Sequence, residues 1–194
     1  MPPGNSKVHI IGGTWRGRSL PVPECEGLRP TKGAVRETLF NWLAPHLSGA
    51  RCVDLFAGTG ALGLEAASRG AASVTLIETD RVACRALSAS IGVLNATQVN
   101  LVHTTAERYI AQASEGLSGG VDIVFFDPPF ELGRAVTVLS DAMNSPMLSA
   151  GAVVYIERDR RQGLPGLPMG WRYHRQKQMG QVDYALATKV VVEK

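Results

Sequence analysis

The sequence predicts an α/β protein built on a mostly parallel sheet, and three observations carry that prediction. From about residue 50, short Val-, Ile- and Phe-rich runs alternate with stretches of helical spacing. Strands that alternate with helices must run parallel, because each helix returns the chain to the same edge of the sheet. A glycine-rich turn follows the first of these strands, and an aspartate followed by two prolines ends the fourth. Both positions are carboxyl ends of strands, where open α/β sheets bind ligands. Length and composition agree: 194 residues, 45% of them hydrophobic, suffice for one domain with a full core.

Taken in order, KVHIIGGTWRGRSLPVP reads as a hairpin turned at Gly12-Gly13. TKGAVRETLFNWL places Val35, Leu39, Trp42 and Leu43 on one helical stripe, with Thr31 as N-cap. These elements form an extension over residues 1–48, before a catalytic domain over 49–194. RCVDLF, SVTLIE, VNLVH, VDIVFF and AVVYIE are the predicted parallel strands. ALGLEAASRG and DRVACRALSASIGVLN are helices between them, the second closed by Asn95. GLPGLP at 163–168 is a loop, and WRYHRQKQ with YALATKVVV forms a closing antiparallel hairpin.

Charge is mild overall, at +3, but unevenly spread. Residues 1–40 hold a net +3, from Lys7, Arg16, Arg18, Arg29, Lys32 and Arg36 against Glu24, Glu26 and Glu37. Residues 157–177 hold a net +4, from Arg158, Arg160, Arg161, Arg172, Arg175 and Lys177 against Glu157 and Asp159. Two basic flanks around an acidic middle point to a polyanion held around a catalytic centre. Cys25, Cys52 and Cys84 are widely spaced and form no CxxC pair, which argues against zinc or a disulfide framework and suits the cytoplasm. No run approaches the ~20 apolar residues of a membrane span, and MPPGNSKVHIIGG has no signal-peptide core. His46, His103 and His174 show no partner spacing and read as incidental, and His9 reads as a packing or surface residue of a strand.

In VDLFAGTGALG, Gly58, Gly60 and Gly63 satisfy G-x-G-x-x-G between a strand and a helix. Glu78 ends the next strand, 20 residues after Gly58, where a carboxylate accepts from both hydroxyls of a ribose. Two ligands fit such a loop. A nicotinamide dinucleotide would seat its pyrophosphate on the helix N-terminus. S-adenosyl-L-methionine has no phosphate and carries a sulfonium and an ammonium. Asp54, four residues before the first glycine, favours the cation and opposes the pyrophosphate. Read singly, Asp54 is also a loop cap and Glu78 an exposed strand end; together, flanking the glycines, they favour a ligand.

The string FFDPPF then assumes a meaning. An exocyclic nucleobase amine is a poor nucleophile, since its lone pair is delocalised into the ring. Two acceptors aimed at its N–H groups make it more tetrahedral: the Asp127 carboxylate and the Pro128 carbonyl. Prolines fix that backbone and remove competing donors. Phe130 is placed to stack on the base. Arg16, Arg18 and Trp15 on the hairpin, and Arg158 and Arg160 after the AVVYIE strand, are the candidate RNA contacts. A dinucleotide-dependent oxidoreductase would leave DPPF and both basic flanks unexplained. A non-catalytic RNA-assembly factor would not need a carboxylate facing RNA.

FAGTG, Glu78 and DPPF together resemble the class I SAM-dependent amino-methyltransferases. IIGGTWRGRSLPVP, GLRPTKGAVRETLFNWL, VDLFAGTGALGLEAASRG, GLPGLP and GQVDYAL closely resemble the RsmD family, bacterial 16S rRNA guanine-N2 methyltransferases, over nearly the whole chain. The resemblance implies a Rossmann-like, seven-stranded class I methyltransferase sheet with an N-terminal hairpin and helix. It implies methylation of one guanine, at position 966 in the usual rRNA numbering, in the assembling 30S subunit, by a monomer without metal or membrane attachment. SAM binding then falls on Asp54, Ala57, Gly58, Gly60, Glu78 and Thr105. Thr31 and Arg36 would lie near the cofactor or the base, and base handling falls on Asp127, Pro128 and Phe130. His103-Thr104-Thr105 replaces the Asp or Asn with which many class I enzymes hold the adenine amine. The DPPF chemistry would equally serve an adenine-N6 methyltransferase, and only the whole-chain resemblance separates the two.

Overall fold

The β-branched and aromatic runs become strands because both of their faces are covered by helices. A computed structural model describes residues 7–22, 33–116, 120–129 and 133–190. The strands are β1 (Lys7–His9), β2 (Ser19–Pro21), β3 (Arg51–Asp54), β4 (Ser73–Glu78), β5 (Val99–His103), β6 (Val121–Phe126), β7 (Leu148–Asp159), β8 (Trp171–Met179) and β9 (Val182–Lys189). The helices are α1 (Gly33–Leu47), α2 (Gly63–Ser68), α3 (Arg81–Leu94), α4 (Ala106–Gly116) and α5 (Ala135–Asn144).

Seven strands form one sheet in the order β5-β4-β3-β6-β7-β9-β8. β3 to β7 are parallel, while β9 is antiparallel to both β7 and β8. The order reverses between β3 and β6, so a crevice opens at their carboxyl ends. One face buries Leu39, Phe40, Leu43, Leu64, Phe125, Tyr155 and Tyr184 against α1, α2 and α3. The other buries Ile110, Val124, Phe126, Leu139, Val154 and Trp171 against α4 and α5. Asp80 caps α3 by accepting from the N–H groups of Val82 and Ala83 (2.7 and 2.8 Å). Asn95 ends it in the left-handed conformation, φ 50°, as the sequence predicts.

The N-terminal segment departs from the expected Gly-Gly hairpin. β1 and β2 pair antiparallel with Val8 opposite Leu20, so residues 10–18 separate them. This loop is shaped by its docking on α2 rather than by a tight turn. Ile11 and Gly12 donate their N–H groups to the Glu65 carboxylate (2.7 and 2.8 Å). Thr14 N–H donates to the Ser68 carbonyl (2.8 Å) and Trp15 N–H to Ser68 Oγ (2.9 Å). Gly13 has φ +76°, and a Cβ there would sit 1.9 Å from the Ser68 carbonyl oxygen. Val8, Ile10 and Leu20 join the same core as α1 and the sheet, so residues 1–48 have no separate core among the described residues. Thr31, the expected cap of α1, lies outside the described residues.

Candidate active site

Three strand ends bring three carboxylates to the crevice: Asp54 from β3, Glu78 from β4 and, one residue past β6, Asp127. Asp54 is fully buried at 1% exposure. Its Oδ2 accepts from Gly63 N–H (3.1 Å) and its Oδ1 from Phe56 N–H (3.4 Å), so it ties the glycine-rich loop to the start of α2. Burial, and then the charge of Asp127, push the Asp54 carboxyl up to about 7, against the pull of those two N–H groups and with a further push from Glu78. A cation placed beside this buried acid would favour its ionised form.

Glu78 holds the loop from the other side. Its Oε2 accepts from Gly58 N–H (2.8 Å), and its Oε1 from the N–H groups of Thr79 and Asp80 (2.7 and 2.8 Å). A carboxylate offers about four acceptor sites. The Thr79 hydroxyl also lies 3.5 Å from Oε1, so the open acceptor capacity is on Oε2, which receives only Gly58 among the described residues. Ala57 is buried and donates its N–H to the Ile77 carbonyl (2.9 Å). Gly60 has φ +77°, and a Cβ there would lie 2.7 Å from Leu87 and 2.8 Å from Leu64. It lets α2 and α3 close under the loop. Thr105 is exposed, and its Oγ1 accepts from Arg108 N–H (3.2 Å), which makes it the cap of α4. It offers a hydroxyl at the crevice rim but no carboxylate.

Asp127 is half-buried and Pro128 buried, while Phe130 lies outside the described residues. Beside Asp127 stands a group that the motif reading passed over. Tyr155 donates its hydroxyl to Glu157 Oε2 (2.6 Å), both fully buried. Burial, then the charges of Glu157 and Asp127, raise the Tyr155 hydroxyl well above its ordinary range. Tyr155 stacks edge-on to Phe125, and Tyr184 packs against both Tyr155 and Trp42. The period-two spacing of Tyr155 and Glu157, at the end of the strand beside DPP, is the signal that would have found them.

The remaining candidates lie in different parts of the fold. Arg36 is buried between β1 and α2: its Nη2 donates to the His9 carbonyl (2.9 Å) and its Nη1 lies 3.6 Å from Glu65. These contacts fasten the N-terminal segment to α2. Trp15 is half-buried against the core. Arg18 donates to the Val93 carbonyl near the end of α3 (3.2 Å). The ends of α2 and α3 lie at the amino edge of the sheet, so Trp15, Arg16 and Arg18 sit away from Asp127. Arg158 and Arg160 do lie at the carboxyl edge, at and just past the end of β7. Arg158 is held by the Gln162 side chain (2.6 Å), and Arg160 is exposed. Among the described residues no helix is long and apolar enough to cross a membrane.

A family profile described as "Conserved hypothetical protein 95" matches residues 8–188. The chain is 46% identical over 183 residues to "Ribosomal RNA small subunit methyltransferase D" of Escherichia coli, covering 94% of this chain and 90% of that protein. It is 37% identical over 187 residues to the protein of the same name from Haemophilus influenzae, covering 95% of each. Among solved structures, "Putative methyltransferase yhhF" from Escherichia coli superposes with TM-score 0.83 at 45% identity, covering 95% of this chain and 98% of that one. The "putative methylase HI0767" of Haemophilus influenzae follows with TM-score 0.80 at 33% identity, covering 96% and 100%. The seven-stranded sheet is therefore the class I methyltransferase fold. Sequence and fold agree along almost the entire length, and the chain belongs to the ribosomal RNA small subunit methyltransferase D family.

Proposed function

We propose that the protein uses S-adenosyl-L-methionine to methylate the exocyclic N2 of one guanine of 16S rRNA, guanine 966 in the usual rRNA numbering, within the assembling 30S subunit. The observation that carries this reading is the Asp54–Asp127 pair at neighbouring strand ends, with the Asp54 carboxyl pushed up to about 7. That acidic crevice suits a cationic donor and opposes a pyrophosphate. The family supports the substrate: the Escherichia coli relative is named for ribosomal RNA of the small subunit.

The donor supplies a methyl group activated on a sulfonium. Asp54 and the loop around Ala57, Gly58 and Gly60 would hold its amino-acid end, Glu78 a ribose hydroxyl, and Thr105 would sit near the adenine. Asp127 and the Pro128 carbonyl accept the N–H groups of the target amine and orient its lone pair for in-line attack, so alignment supplies much of the rate. As the new N–C bond formed, the S–C pair would stay on sulfur, the Asp127 carboxylate would stabilise the positive charge developing on nitrogen, and the amine proton would pass to solvent. The motif assigns stacking on the base to Phe130. The protein works as a cytoplasmic monomer, which leaves the carboxyl edge open to the particle.

The test is transfer of tritiated methyl from S-adenosyl-L-methionine to 30S subunits from cells lacking this gene, followed by nucleoside analysis of the 16S rRNA. The expected product is N2-methylguanosine. N6-methyladenosine would keep the mechanism and overturn the base. No transfer, with the donor bound, would overturn the reading.

A further inference from the structure

β8 is the outer edge of the sheet, and most of its length is exposed. Its sequence, WRYHRQKQM, carries Arg172, Arg175 and Lys177. A bulge divides the strand: Tyr173 pairs with Ala187, but Arg175 pairs with Leu186, which leaves His174 as the extra residue. Directly paired residues of an antiparallel ladder point to the same face. Ala187 belongs to the core under α4 and α5, whereas Leu186 and Tyr184 belong to the core under α1. The bulge therefore moves Arg175, opposite Leu186, and Lys177, opposite Tyr184, onto the α1 face. Without it both cations would point to the α5 side.

That face leads to the crevice. Lys177 pairs with Tyr184, and Tyr184 pairs with Glu157. Glu157 lies one residue past the Phe126–Ile156 pair, level with Asp127. Three interstrand steps of about 4.8 Å put Lys177 about 14 Å from Asp127 along one row. Arg160 continues the cationic path at the carboxyl edge. Arg175 and Lys177 are exposed, and neither is tied up in an ion pair with a described residue. The exposed positions of β8 are Arg, His, Gln and Lys, with no apolar anchor for a protein partner.

We infer that Arg175 and Lys177, turned by the β8 bulge, bind the phosphodiester backbone of the single-stranded RNA that flanks the target base. The inference rests on the rRNA reading above. It replaces the N-terminal hairpin arginines with the opposite end of the chain as the principal RNA contact.

The experiment measures KM for 30S subunits from cells lacking this gene, across a series of KCl concentrations. It compares the wild type, R175Q/K177Q, the charge-keeping R175K/K177R, and R172Q on the amino-edge side of the bulge. Donor binding by calorimetry reports that each variant is folded. Each single-strand phosphate contact contributes about 0.7 to the log–log salt slope. R175Q/K177Q is expected to raise KM about tenfold and to flatten that slope by about 1.4, with kcat within about twofold of the wild type. R175K/K177R and R172Q should stay close to the wild type. If the wild type methylates 30S subunits and R175Q/K177Q matches it in KM and slope, the inference is overturned and the rRNA reading stands. If the wild type methylates no RNA, both fall.

Discussion

Asp54 makes the protein sensitive to pH in two opposite senses. Its folded-state pKa, near 7, lies above the ordinary carboxyl value of 3.8. The stability it contributes is therefore fully present below about pH 4 and is lost as pH rises through 7. A cationic ligand reverses the preference, because it favours the ionised carboxylate. The affinity for S-adenosyl-L-methionine, measured by calorimetry between about pH 5 and 8, should rise by up to tenfold per unit and level off above 7. Asp54→Asn should flatten that dependence. Asp127→Ala should lower methyl transfer by roughly 10²- to 10³-fold while donor binding largely survives. Removing that neighbouring charge also lowers the Asp54 pKa, so donor binding near pH 6 should not weaken. Equal loss of transfer and binding in a tritium assay paired with calorimetry would remove Asp127 from its assigned role.

At the scale of elements, the legible and the hidden parts separate by the range of the interactions that fix them. The parallel strands, the Asn95 cap and the three strand-end carboxylates were readable because local pattern and topology determine them. The 10–18 loop departs from the tight turn that Gly12-Gly13 signals locally, because its conformation is set by Ser68 and Glu65, more than fifty residues away. The Arg36 contact is hidden for the same reason: its partner, Glu65, is invisible to local spacing. The β8 bulge could not be seen in RYHRQKQ, since polar residues on both sides leave no apolar alternation to mark the phase. Gly13→Ala tests the docking directly. The new methyl group meets a backbone oxygen of α2 at a φ that disfavours any side chain, so the loop must lift. A loss of about 2 kcal/mol or more in urea unfolding is expected, with the donor site unchanged.

Across the whole molecule, the described cations of the two basic flanks lie at different edges of the sheet. The tip of the first lies at the amino edge of the sheet, and the second runs along the outer strand and the carboxyl edge. Nor does the N-terminal segment behave as an appendage. Burying Val8, Ile10 and Leu20 contributes about 2 kcal/mol each, a sum comparable with the net stability of a whole domain. Deleting residues 1–22 should therefore give insoluble or unfolded protein rather than a free catalytic domain. A soluble product with a sharp thermal transition would contradict this. The fully buried Glu65, which receives Ile11, Gly12, Arg36 and Arg69, also sets an order of events during synthesis. Residues 7–22 have no anchor on Glu65 until α2 has emerged and formed. Docking of residues 10–15 thus depends on α2, a partner more than fifty residues away in sequence.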